Sequence, residues 1–277
     1  MIHRTLGATL RAFLVASLVA MPAMVLPGIS SDVTQMAALL ALAGGILTLV
    51  EYMSTCPSLT EFRSAPPYNR LRFGALAIMV IVSTLIVRNV AYPSAAGEAL
   101  ASVGGVLGGA LDFPFSPVSL ILRDMPPDIR PRTMDVAKAC AGSAFVVSII
   151  VVVIFVAVVR VLNWPARRQA FNVWVNLPRF DPTAGGDVLL RLKRDAVINV
   201  SLGMVLSFLM PAAIRLATSL WGAVSLDGPL TLVWGIAAWA FLPASLMMRG
   251  VALMKIADLI EAERRRVYSQ SGPLQPA

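Results

Sequence analysis

Histidine is almost missing from this chain: the single one, His3, stands at its start. That scarcity excludes a histidine-built metal site or catalytic dyad within the membrane. Cysteine is limited to Cys56 and Cys140, which the topology below sets near opposite membrane faces. Sulfurs so far apart form neither a disulfide nor a shared metal site. Charge is scarce as well, at 14% of residues, and lysine is confined to Lys138, Lys193 and Lys255. No Lys-Ser or Lys-Thr follows the glycine-rich stretch 102–110, and no strand precedes it, so a phosphate-cradling loop is excluded.

Apolar residues fill the space that charge leaves. They make up 57% of the 277 residues, with a mean hydropathy of +0.77, which excludes an ordinary soluble domain. The run 139–159 carries no charged residue, and ~20 apolar residues suffice to cross the hydrocarbon core as a helix. Further runs set the expected spans at about 10–26, 36–53, 73–87, 136–161, 196–224 and 230–248. The expected fold is therefore all-α: one polytopic helical membrane domain of about six transmembrane helices.

Arg4 and Arg11 ahead of an apolar run imitate a secretory signal. The residues around Met21, Pro22 and Ala23 make a poor cleavage site, so the run is expected to persist as the first span. Pro27 and Gly28 end it. Gly44 and Gly45 in the second span leave room for a neighbouring helix. The segment 97–112 is apolar and small but bracketed by Glu98 and Asp112, and reads as an interfacial or re-entrant helix. The proline-rich continuation through Pro114, Pro117, Pro126, Pro127 and Pro131 is expected to be irregular. Residues 166–195 read as a loop on the membrane surface, and 249–277 as a helical extension and tail outside the bilayer.

A net charge of +8, mostly arginine, serves orientation and contact with lipid headgroups rather than nucleic acid. The N-terminus, the loops after the second and fourth spans and the C-terminus are all arginine-rich. The positive-inside rule then predicts a bacterial inner-membrane protein with both termini cytoplasmic.

Three constellations stand out. Gly104, Gly105, Gly108 and Gly109 form two overlapping Gly-x-x-x-Gly frames suited to close helix contact. The alternative is a small-residue interfacial segment with no partner. Arg63, Pro66, Pro67, Tyr68 and Arg70 form a stiff, polar and aromatic loop suited to docking another subunit. Its alternative is a solvated turn joining two spans. Arg215 lies one turn beyond Pro211, whose missing hydrogen bond frees a carbonyl for a polar pocket. Glu51, Arg88, Lys138, Arg160 and Arg215 all fall toward span ends, where long side chains reach the headgroups.

Span centres almost free of titratable groups point to a non-catalytic membrane scaffold, assembly factor or accessory subunit, contacting lipids and other membrane protein subunits. The competing expectation is a small-molecule transporter with its site near Pro211 and Arg215. No catalytic residue and no metal ligand is assigned, and the cofactor is unknown.

Overall fold

The computed structural model describes residues 2–55, 57–123, 125, 131–162, 164–165, 173–178, 180, 186–221 and 228–270. Every regular element among them is a helix. In chain order they are α1 (Ile2–Val25), α2 (Ser31–Met53), α3 (Tyr68–Arg88), α4 (Ala95–Leu111), α5 (Pro117–Leu122), α6 (Pro131–Val161), α7 (Val173–Asn176), α8 (Val188–Trp221) and α9 (Pro229–Gln270). Six of these, α1, α2, α3, α6, α8 and α9, are long and apolar enough to cross a membrane. The protein is an integral membrane protein.

Local chemistry sets where the helices start. Ser30, Ser94 and Ser116 each turn a hydroxyl onto a free amide of the first turn, those of Val33, Gly97 and Ser119. Two prolines of the segment expected to be irregular instead open helices. Pro117 begins α5 and Pro131 begins α6, at the position where a missing amide proton costs nothing. Pro126 and Pro127 lie outside the described residues. The expected surface loop 166–195 is also shorter than predicted, because α8 begins at Val188. Asp187 caps it: its Oδ1 accepts from Leu189 N at 3.0 Å, and its carbonyl accepts from Arg191 N at 3.1 Å. Arg191, Lys193 and Arg194 therefore ride on the first turns of a helix.

Two apolar cores hold the bundle. One gathers Leu18 of α1, Met79 and Ile86 of α3, Ile121 of α5, Cys140 of α6 and Trp239 of α9. The other gathers Tyr68, Phe155, Trp164, Leu192 and Leu253. They mark opposite ends of the bundle. Arg11 of α1 sits over the Tyr52 ring at the end of α2, so these termini share the end occupied by the second core. The Gly44–Gly45 gap on α2 is filled by α1, with Ala12 O and Ala16 Cβ each 3.3 Å from where a Gly45 Cβ would stand.

Parity places α4. α3 ends at Arg88 and α6 begins at Pro131, and Arg132 Nη2 reaches the Val90 carbonyl at 3.4 Å, so the chain leaves and re-enters the bundle at one end. The 17-residue α4 lies across α6 at that end and adds no seventh span. Its start packs on Asn89, and the acid just beyond its end, Asp112, pairs with Lys138 Nζ at 2.6 Å. The last helix departs the other way. At 42 residues α9 is roughly 60 Å long by the rise of an α-helix, twice the hydrocarbon thickness of about 30 Å.

Candidate functional site

Among the described residues the loop between α2 and α3 carries a dense set of hydrogen bonds, and its construction begins with a misplaced charge. Glu51 sits in the last turn of α2, where the helix dipole disfavours an acid. The loop compensates by folding back over it. Glu51 Oε1 accepts from Ser58 N at 3.1 Å and Ser58 Oγ at 2.7 Å, while Oε2 accepts from Leu59 N at 3.0 Å and Thr60 N at 2.9 Å. Arg63 Nη1 closes the turn by donating to the carbonyls of Glu51 at 2.5 Å and Ser54 at 2.8 Å.

The rest of the loop is fastened to distant helices. Arg249 of α9 grips the Glu61 carboxylate with a two-pronged contact, Nε to Oε2 at 2.6 Å and Nη2 to Oε1 at 2.9 Å. Asn176 of α7 accepts from Ser64 N at 3.0 Å and Ser64 Oγ at 2.9 Å through its Oδ1, and from Phe62 N at 2.7 Å through its carbonyl. Trp164 donates its Nε1 proton to the Ala65 carbonyl at 3.1 Å. Beneath these bonds, the Phe62 and Tyr68 rings lie 4.5 Å apart, and those of Phe155 and Trp164 5.3 Å apart. Phe62 holds a φ of 51°, a left-handed conformation rare for an aromatic residue, fixed here by burial and by its bond to Asn176.

This arrangement redraws the loop surface expected from the sequence. Tyr68 is 0% exposed and belongs to the core. Arg63 is half-buried, with its guanidinium held by the loop's own carbonyls. Pro66 and Arg70 face outward, and Pro67 is half-buried between them and the core. The physical reason is the number of backbone polar groups the loop must satisfy: Glu51 and Asn176 turn inward to accept from its amides, Arg63 to donate to carbonyls, and the aromatic ring follows.

The glycine tetrad divides into two faces. On one, a Cβ at Gly104 would stand 2.7 Å from Ala139 O and Ser143 Oγ, and a Cβ at Gly108 would collide with Lys138 O. Gly142 of α6 is the reciprocal gap, since its own Cβ would overlap the Gly108 backbone. The Gly104–Gly108 face is thus taken up by α6 of the same chain. On the other face, Gly105 and Gly109 look into open space, flanked by the exposed side chains of Val103 and Val106.

Pro211 and Arg215 do share a groove. Together with Arg123, Phe208 and Leu120 they line a cavity of about 460 Å³. Arg215 Nη2 donates to the Arg123 carbonyl at 3.2 Å. This groove lies at the α4–α5 end of the bundle, away from the bonded loop.

Among the described residues no three His, Cys, Asp or Glu side chains converge to hold a metal ion. Glu51 and Glu61 already accept close donors on both carboxylate oxygens, which leaves neither poised for proton transfer. Cys140 is buried in α6, while Cys56 lies outside the described residues. At the other side of the bonded loop, Asp187 is held below the usual carboxylate range by the Leu189 amide and then by Arg264, whose Nη1 lies 2.9 Å away.

Sequence reasoning missed Gly142, Glu61, Asn176 and Arg249. Signals existed for two of them. The run Ala139–Ala144 contains only small residues and breaks an otherwise bulky span, which marks a helix contact. Arg249 directly follows an apolar run, and so reads as a headgroup anchor until its partner is seen. No protein family, no curated protein and no solved structure matches this chain.

Proposed function

We propose that this chain is a non-catalytic integral membrane subunit, a scaffold, assembly or accessory component of a larger bacterial inner-membrane complex. The observation that carries the reading is α4. One of its faces is locked against α6 through Gly104 and Gly108, while Gly105, Gly109, Val103 and Val106 on the opposite face remain uncovered. A fixed helix with a small-residue outer face accepts a second transmembrane helix at close range. At the other end, Pro66 and Arg70 project from a loop that loses little entropy on docking, because its own bonds already hold it rigid.

The orientation follows from the basic residues. Arg70, Arg191, Lys193, Arg194 and Arg264 to Arg266 lie at the end of the bonded loop, and this cluster of basic residues supports an orientation with that end and both termini cytoplasmic. The partners are membrane lipids and other membrane protein subunits, with no role for nucleic acid.

Native mass spectrometry of the tagged protein, extracted in mild detergent, tests this reading. Partner subunits at fixed stoichiometry are the expected result, and their loss in a Gly105→Leu/Gly109→Leu variant identifies the surface. A single species without partners contradicts the reading and favours the second one, a small-molecule permease. That alternative rests on the groove of about 460 Å³ holding Pro211 and Arg215. It requires a solute whose stabilisation of the purified protein disappears in Arg215→Ala.

A further inference from the structure

A second groove, of about 420 Å³, opens between α6, α8 and α9 near the bonded-loop end. Its walls are apolar, formed by Val156 of α6, Val197 and Val200 of α8, and Val251 of α9. Its floor is a close crossing of α8 and α9, where a Cβ on Gly250 would stand 2.6 Å from Val200 Cγ2 and 2.7 Å from Ala196 O. Arg160, from the last turn of α6, and Lys255 of α9 crown the groove, with Asp258 as the acid beside them. Neither cation has an ion pair or hydrogen bond among the described residues, although nearby Lys193 and Arg249 are both paired.

From this geometry we infer that the groove is a binding site for one anionic phospholipid, its phosphate held between Arg160 and Lys255 and an acyl chain lying against the valine walls. Three features select that occupant. The walls face the bilayer, where lipid is the surrounding solvent. The cations stand at the span end, which is headgroup depth. Two cations against one acid leave a net positive crown that favours an anionic headgroup over a zwitterionic one. The glycine floor gives the groove its depth, since any larger residue at Gly250 pushes α8 and α9 apart. Arg160 then does more than anchor its own helix, because Lys255 on another helix shares the same anion.

The test uses the purified full-length protein, stripped of lipid in detergent and then mixed with dioleoyl phosphatidylglycerol, dioleoyl phosphatidylcholine or inorganic phosphate. Bound lipid is counted by native mass spectrometry, and thermal stabilisation is followed in parallel. The expected result is one retained phosphatidylglycerol, with preference over phosphatidylcholine falling roughly thirtyfold in Arg160→Gln/Lys255→Gln, the loss of two basic contacts near a surface. Val197→Trp, which fills the groove without touching charge, is expected to lose the same bound lipid. It keeps the test decisive if the double variant folds poorly. Equal retention of phosphatidylcholine, or undiminished phosphatidylglycerol preference in either variant, overturns the inference. Stabilisation by inorganic phosphate equal to that by the lipid also overturns it, because the valine walls then contribute nothing.

Discussion

Gly142 of α6 lies so close to Gly108 of α4 that a methyl group on it would overlap the Gly108 backbone nitrogen and Cα. This contact fixes α4 across the bundle and decides which of its glycines are available to anything else. Gly142→Leu and Gly108→Leu are therefore expected to destabilise the protein by ~3 kcal/mol or more, the upper range for forcing bulk into a packed seam. Gly105→Leu and Gly109→Leu, on the open face, should leave the melting temperature within a degree or two. Thermal denaturation in one detergent compares all four, and equal losses on both faces would falsify the two-faced reading of α4.

The Glu61–Arg249 pair joins the loop to α9, with side-chain exposures of 9% for the acid and 27% for the base. Removing one partner of such a pair strands the other charge, at a cost of about 3 kcal/mol. Arg249→Ala and Glu61→Ala should each lower the melting temperature sharply, whereas Glu61→Gln/Arg249→Met should recover much of the loss. A double-mutant cycle with no coupling energy contradicts the contact.

Arg63 and Arg70 look equivalent in the sequence but are expected to behave differently. Arg63→Ala removes the donor that closes the turn on the Glu51 and Ser54 carbonyls, and should cost ~1–3 kcal/mol of stability, the penalty for leaving such groups unbonded. Arg70→Ala, at an exposed position, should keep the fold and affect only partner or lipid contact. Limited proteolysis of the 54–67 loop reads the difference.

Asp187 caps α8 and reaches Arg264 on α9, and both contacts favour its ionised form. With the folded pKa lowered, its contribution is present above the ordinary carboxylate range and fades as pH falls through the lowered value. A spin label at position 268 should become more mobile only on acidification below the ordinary carboxylate range, and Asp187→Asn should show that mobility already at neutral pH. Unchanged spectra in both cases would remove the tether.

The spans are legible in the sequence because one-dimensional apolarity suffices to place a helix in lipid, and 97–112 stands apart from them because Glu98 and Asp112 bracket an apolar stretch too short to match the six long helices. Helix starts are legible only where a cap is recognised. Asp187 follows Gly186, so a loop reading runs straight past it until the Leu189 amide is seen to bond its carboxylate. The glycine tetrad announces helix contact but not its direction, because rotation of α4 about its axis is set by Gly142, more than thirty residues away. The loop misleads for a different reason. Arginine, tyrosine and paired prolines compose an exposed recognition surface as readily as a closed turn, and Asn176 and Arg249, which decide between them, arrive from remote helices. Glu51 carried the best unread signal, an acid set against the helix dipole that requires donors from elsewhere.

Photo-crosslinking inside living cells tests the central claim most directly. A benzophenone side chain placed at Val106, on the open face of α4, is compared with one at Leu40 on the exposed face of α2. An accessory subunit predicts a discrete protein adduct from Val106, lost when Gly105 and Gly109 become leucine, and lipid adducts alone from Leu40. Lipid adducts alone from both positions would contradict it, leaving the outer face of α4 with no protein partner.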